Sequence, residues 1–284
     1  MKRRPRIKKN AFLFIILFLT VLWSLVPIYW ALRASLLPGS ELFSKTVSYL
    51  PLPFTTEHYR QLFALDSYNA NIWNEFRSAF LNSLISSIAS TVLTTVIALL
   101  SGYAFARVDF KGKNTLFAIL IATMAIPVYA VLIPLYRLII VLGLVDTQTG
   151  ITLIYTAAYA PLALWIMRNY FDSIPVELEE AAYVDGASRL RAMLLILPLA
   201  IPGVITVAMV IFLSCWSQFV LPLIFSPVET KPLTVLITQY VSKSSINYGL
   251  MMASGMFAIL PPVLIVIFLN KFLVGGLMTG AFKK

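Results

Sequence analysis

The sequence predicts an all-α, polytopic membrane protein of six transmembrane helices, with one further short helix in a cytoplasmic loop. Three observations carry this. Sixty per cent of the 284 residues are apolar or aromatic and only twelve per cent are charged, a balance that excludes a water-soluble fold. The apolar residues gather into six runs, each near the ~20 residues that a bilayer crossing needs. The charged residues sit in short clusters between those runs. A net charge of +10 would suit nucleic acid if it lay along one face, but clusters between apolar runs are how orientation signals are distributed. The expected surroundings are therefore membrane lipid, with no nucleic acid.

The elements follow in order. Residues 1–10 carry six basic side chains and form a basic N-terminus; residues 11–284 read as a single transmembrane domain. Ala11 to about Leu32 is the first span. It is longer than a signal-peptide core, and Ala31-Leu32-Arg33-Ala34 offers no cleavage site, so it is kept as a span. Residues 35–78 form an outer loop with a short helix near Thr56 to Phe63. Phe80 to about Phe105 is the second span, opening on Asn82-Ser83 and ending at Tyr103-Ala104-Phe105-Ala106-Arg107. Thr115 to about Leu138 is the third, kinked at Pro127 and Pro134 because an interior proline removes a ladder hydrogen bond. Residues 143–150, with Asp146-Thr147, turn the chain on the outer side. Ile151 to about Met167 is the fourth span and leads into the loop 171–193. Leu194 to Leu223 is the fifth, broken at Pro198 and Pro202, and residues 226–248 form an outer loop with Glu229, Lys231 and Lys243. Gly249 to Leu269 is the sixth, containing Pro261-Pro262. With this scheme fifteen of the 22 Lys and Arg lie on the side of both termini, which places the termini and the 171–193 loop in the cytoplasm of a multi-pass protein of the inner or plasma membrane.

That loop holds PVELEEAAYVDGASRLR from Pro175 to Arg191. Pro175 presets a helical dihedral, and Glu177, Glu179 and Glu180 fall in the first turns, where the macrodipole favours acids. Gly186 supplies left-handed dihedrals for a turn, and Ser188 is a candidate N-cap for the next helix. Ala181 and Ala182 allow close approach of a neighbour, with Tyr183 and Val184 as an apolar patch. A lipid-surface helix would carry Lys and Arg instead of three glutamates, so the fitting partner is a protein.

Glu180-Ala181-Ala182, Asp185-Gly186-Ala187 and Leu197-Pro198 together resemble the EAA loop of ABC-importer permeases, in the form found in the carbohydrate-uptake branch similar to the maltose-type sugar permeases. Asn82-Ser83 followed by YAFAR, and the glycine-rich tail Gly275 to Ala281, extend the resemblance over most of the chain. It implies an ATPase-coupling role for Glu179, Glu180, Ala181, Ala182, Asp185, Gly186 and Ala187. It also implies three protein partners: a second homologous permease subunit, a cytoplasmic ATPase dimer and an extracytoplasmic solute-binding protein. The outer loop 226–248 is where such permeases meet that binding protein.

The chain has no engine of its own. No G-x-x-x-x-G-K-[ST] phosphate cradle occurs, and the six runs contain no Asp, Glu or His of the kind that ion-coupled carriers use. It is not expected to be an enzyme; ATP and magnesium belong to the partner. Cys215 lies in an apolar run and His58 lacks neighbours with metal-ligand spacing, so no metal or cofactor is expected. Sugars are held by aromatic faces and amide or hydroxyl groups, which makes Trp216, Gln218, Asn82 and Tyr155 the candidates for a solute pathway. The family commonly has an Asn after this Trp, where this chain has Ser217. The expected function is half of a translocation pathway for a mono- or oligosaccharide. The alternatives are a permease for an acidic oligosaccharide or glycerol phosphodiester, or a membrane scaffold.

Overall fold

The computed structural model of the chain describes residues 6–44, 48–65, 70–241 and 247–281, with side chains from 12 to 269 within those ranges. Met1–Pro5 of the basic N-terminus, Lys243 of the outer loop and the side chains of the glycine-rich tail lie outside them. Among the described residues the regular structure is predominantly helical, in the order α1 (Arg6–Ser35), α2 (Glu57–Leu62), α3 (Ala70–Arg107), α4 (Lys113–Ala122), α5 (Val128–Val141), α6 (Gln148–Ser173), α7 (Glu177–Val184), α8 (Arg189–Trp216), α9 (Val220–Phe225), α10 (Leu233–Gln239) and α11 (Tyr248–Ala281).

Among the described residues five helices are long and apolar enough to cross a membrane: Phe12–Ser35 of α1, α3, α6, α8 and Tyr248–Leu269 of α11. The third expected span is different. Instead of one kinked helix it is two, α4 and α5, bent by 101°. The break falls at Pro127, which takes an extended ψ of 126° while Ile126 before it is extended as well, as the proline ring requires of its predecessor. A sixth crossing exists only if that bent pair is counted as one. Pro134 lies inside α5 without interrupting it. Likewise Pro198 and Pro202 do not break the fifth span: α8 runs through both, and ends at Trp216, short of the expected Leu223. Two outer loops are shorter than expected, because α3 begins at Ala70 and α10 occupies part of 226–248.

Packing groups the chain into two compact units, Met1–Phe76 with Leu236–Ile259, and Arg77–Val235 with Leu260–Lys284. Helices α3, α10 and α11 run through both, so no linker composition marks the boundary. In the first unit α1 exposes its apolar side chains along the described length, as a lipid-facing helix does. Phe63, Trp73, Phe76 and Phe257 form an aromatic cluster, with the Phe63 and Phe257 ring centroids 5.1 Å apart. His58 is buried there, bonded through Nε2 to the Leu37 carbonyl at 2.9 Å, and its ring lies so close to Gly249 that a Cβ would fall 2.0 Å from Nε2. This is the work of the chain's one histidine: packing.

The second unit is built around α6 and α8. Tyr155, Met167 and Phe171 of α6 are buried with Ile196, Val207 and Ile211 of α8, and with Ala98 and Tyr103 of α3. The helices of this core carry both candidate sites, one at each end.

Candidate functional site

The first site is the α6–α7–α8 connection. Helix α7 starts after Pro175 and places Glu177, Glu179 and Glu180 in its first turn, as the residue order predicts. It ends on a Schellman turn: the Ala187 N–H donates to the Ala182 carbonyl at 2.9 Å, and the Gly186 N–H to Tyr183 at 3.0 Å. Gly186 has φ of +80°, the conformation that only glycine adopts freely. Ser188 then caps α8 by accepting the Arg191 N–H.

The helix has two faces with different duties. Glu179 is 2% exposed and points inward, and Ala182 is buried beside it. Glu179 Oε2 accepts from the Tyr103 hydroxyl at 2.8 Å, and Oε1 from Arg107 Nε at 2.5 Å. Arg107 also donates through Nη2 to the Ile174 carbonyl at 2.7 Å, so one guanidinium at the end of α3 holds both the helix and the turn before it. The outward face carries Glu177, Glu180, Ala181 and Val184, spaced three and four residues apart, and all exposed. Val184 is 87% exposed and Leu178 and Tyr183 are also exposed. Asp185 and Gly186 lie at the exposed turn, with Ala187 half-buried. Of the seven residues predicted for coupling, the structure exposes four, leaves Ala187 half-buried and turns Glu179 and Ala182 into the fold.

The second group, the four pathway candidates, is not brought together. Trp216 is buried, edge-on to Phe80 at 5.7 Å and stacked on Phe212 at 5.8 Å. Tyr155 is 1% exposed in the helix core. Gln218 is half-buried: Oε1 accepts the N–H groups of Phe219 and Val220, capping α9, while Nε2 donates to the Tyr159 hydroxyl at 2.9 Å. Both amide hydrogens of Asn82 are engaged, on the carbonyls of Glu229 at 3.0 Å and Lys231 at 3.1 Å, and its oxygen accepts from Gln148 at 2.7 Å.

Asn82 belongs instead to a clamp that sequence reasoning missed. Ser83 Oγ accepts the Leu233 N–H at 2.7 Å. Asp146 accepts from the Glu229 N–H at 2.8 Å, the Thr230 N–H at 3.1 Å, the Thr230 hydroxyl at 3.0 Å and the Val228 N–H at 3.4 Å. Burial works to raise the Asp146 carboxyl, but the N–H groups of Glu229 and Thr230, the Thr230 hydroxyl and the Val228 N–H outweigh it and hold it below the usual carboxylate range. The local signal was Asp146-Thr147 followed by Gly150, which is enough for a turn and an N-cap, since Thr147 accepts the Gly150 N–H at 2.9 Å. Nothing local points to residues some eighty positions away.

Comparison with known proteins follows the same lines. The family model for the binding-protein-dependent transport system inner membrane component matches residues 94–278. The chain is 30% identical over 261 residues to the sulfoquinovosyl glycerol transport system permease protein of Agrobacterium fabrum, covering 91% of this chain and 89% of that one. It is also 30% identical over 274 residues to the diacetylchitobiose uptake system permease protein of Streptomyces coelicolor, covering 93% and 87%. Among solved structures it shares its fold with a chain of a bacterial ABC transporter involved in the import of the acidic polysaccharide alginate, with a TM-score of 0.78, 21% identity and coverage of 95% of this chain and 99% of that one.

Proposed function

The chain belongs to the family of binding-protein-dependent transport system inner membrane components, and on that footing we propose that it forms half of the translocation pathway of an ATP-driven importer for a carbohydrate. A second, homologous permease completes the pathway, an extracytoplasmic binding protein delivers the solute, and a cytoplasmic ATPase dimer holds ATP and magnesium. The names of the Agrobacterium and Streptomyces relatives support a carbohydrate. The positive-inside excess, fifteen of the 22 Lys and Arg, supports cytoplasmic termini and a cytoplasmic α7.

The observation that carries the reading is the division of α7 into an anchored face and a presented face. Glu179 is held by Arg107 and Tyr103, so the short helix cannot roll independently of α3. Its outer face offers Glu180 for a charge-assisted contact with a basic group of the ATPase, Ala181 for close approach and Val184 for apolar burial. Glu179 and Ala182 therefore position the coupling helix, while Glu180, Ala181, Asp185, Gly186 and Ala187 meet the partner. Nucleotide binding shifts the transporter only by its differential affinity for the two states, and α7 is the element through which that difference reaches the helices.

For the solute, Gln218 with Tyr159 is the pair nearest to offering hydrogen-bonding groups, being half-buried at the end of α8. Of the other candidates Tyr155 lies beside it, its ring centroid 6.4 Å from that of Tyr159. An acidic oligosaccharide or a glycerol phosphodiester would use the same coupling and change only the solute.

Disulfide crosslinking tests the central point. The native Cys215 is buried, so a Val184→Cys variant presents one accessible thiol. It is expected to crosslink to single-cysteine ATPase variants in a nucleotide-dependent way. Capture only by lipid-soluble reagents, with no ATPase adduct at any position, would remove the coupling assignment.

A further inference from the structure

Helix α3 ends at Arg107 and α4 begins at Lys113, with Gly112 at φ of +85° in the turn that joins them. Between this turn and α6 lies a cleft of about 460 Å³, lined by Asp109, Phe110, Lys113, Asn114, Thr115 and Arg168. Two cations meet in it, and neither is an ordinary solvated surface charge. The Lys113 side chain is 17% exposed and that of Arg168 22%, and Arg168 Nε is buried without a hydrogen-bond partner. Their carboxylate contacts are long: Lys113 Nζ lies 3.4 Å from Asp109 and Arg168 Nε 3.6 Å from Asp172. Cations withdrawn this far from water are costly unless an anion meets them. The Arg168 guanidinium is also fixed in place, its Cζ 4.0 Å from the centroid of the Phe117 ring.

The surroundings of the cleft are apolar and exposed. Helix α4 buries none of its residues, and Leu116 and Ile119 on it are exposed, as is Trp165, one turn before Arg168 on α6. Cations beside an exposed tryptophan at the edge of a span make up a membrane–water boundary, the level at which lipid phosphates lie. The cleft also holds the opposite sign, because the Asp109 side chain is fully exposed at its rim. A bare phosphate is repelled by that carboxylate, whereas a headgroup that joins a phosphodiester to an ammonium meets both signs.

We propose that this cleft binds the headgroup of a zwitterionic phospholipid in which a phosphodiester is linked to a primary ammonium. Lys113 and Arg168 hold the phosphodiester, Asp109 takes the ammonium, and the acyl chains lie along Leu116 and Ile119. The bound lipid ties the first turn of α4 to α6, adding to the hold that Phe105 and Arg168 have on Phe117.

The test uses the complete transporter, stripped of lipid in detergent and titrated with phosphatidylethanolamine while native mass spectrometry counts the lipids bound. Lys113→Gln combined with Arg168→Gln is expected to weaken the tightest binding about tenfold or more, and Lys111→Gln, an exposed neighbour outside the cleft, to leave it unchanged. Phosphatidylglycerol, which has the phosphodiester without the ammonium, should bind more weakly, and inorganic phosphate should not displace the lipid. An unchanged affinity in the double variant overturns the proposal. So does phosphatidylglycerol binding as tightly as phosphatidylethanolamine, and so does displacement by inorganic phosphate, which would make the cleft a site for free anions. Should the double variant fail to assemble, Lys113→Gln alone must weaken binding about fivefold; no change there overturns the proposal equally.

Discussion

Helix α3 is held at two places by opposite strategies, at its last residue Arg107 and at Asn82, twelve residues in from Ala70. At Arg107 one buried ion pair fixes a side chain, Glu179, and leaves the backbone of α7 to its own helical hydrogen bonds. At Asn82 the grip is on backbone: side chains from α3 and from the turn between α5 and α6 take the carbonyls and N–H groups of a segment with no regular structure. The first arrangement suits an element that must move as a rigid body when pushed. The second suits a loop that must keep its shape while its side chains face elsewhere. A helix brings its own order and needs one anchor, whereas a loop needs its polar groups satisfied one by one.

The largest expected effect comes from Glu179→Ala. It leaves Arg107, 11% exposed, without its partner, and breaking a buried pair from one side costs about 3–5 kcal/mol. The thermal midpoint of the purified protein should fall by several degrees, and replacing both residues with methionine should restore most of it. A single variant as stable as the original would show that the pair is not what anchors α7. Asn82→Ala comes next at the other end. Losing the hold on two carbonyls costs about 1–3 kcal/mol and should speed amide exchange in residues 228–233 while leaving 177–184 as before. Equal exchange at both ends would erase the contrast between them.

Gly186→Val tests the turn alone. No atom lies within 4 Å of a Cβ built there, so its cost is conformational, about 1–2 kcal/mol for an L-residue at φ of +80°. ATP hydrolysis should continue with uptake uncoupled from it, and Gly186→Asn, which tolerates left-handed dihedrals, should transport nearly normally. The smallest effect is on pH. Asp146 is held below its ordinary value of 3.8, so its contribution is complete above that value and is lost as the pH falls through the lower, folded one. Glu229 and Lys231 are charged groups of the loop it faces. The difference in thermal midpoint between wild type and Asp146→Asn should be constant from neutral pH to about 5 and shrink below about 4.

What was legible in the sequence was what is local. Acids in a first turn, a glycine at the following αL position and a serine N-cap are all near neighbours, and the helix–turn–helix from Pro175 to Arg191 follows from them. The distinction between Glu179 and Glu180 was not legible, because it is made by Tyr103 and Arg107, over seventy positions earlier. Asp146 was read as a turn residue for the same reason. The prolines show the limit from another side: Pro127 sits at the break before α5, as its N-cap, while Pro198 and Pro202 lie inside an unbroken α8. Each removes one ladder bond, and the residue type alone does not say whether the surrounding packing absorbs the loss.

Helix α3 runs unbroken from Ala70 to Arg107, gripped near one end by α7 and further along by the 226–233 loop. Such a rod works as a beam without a joint. A tilt of about five degrees about its inner grip sweeps the outer one through ~3 Å over the ~38 Å between them, as far as a hydrogen bond is long. In the importer proposed above, a load at either grip is felt at the other as one displacement of this rod.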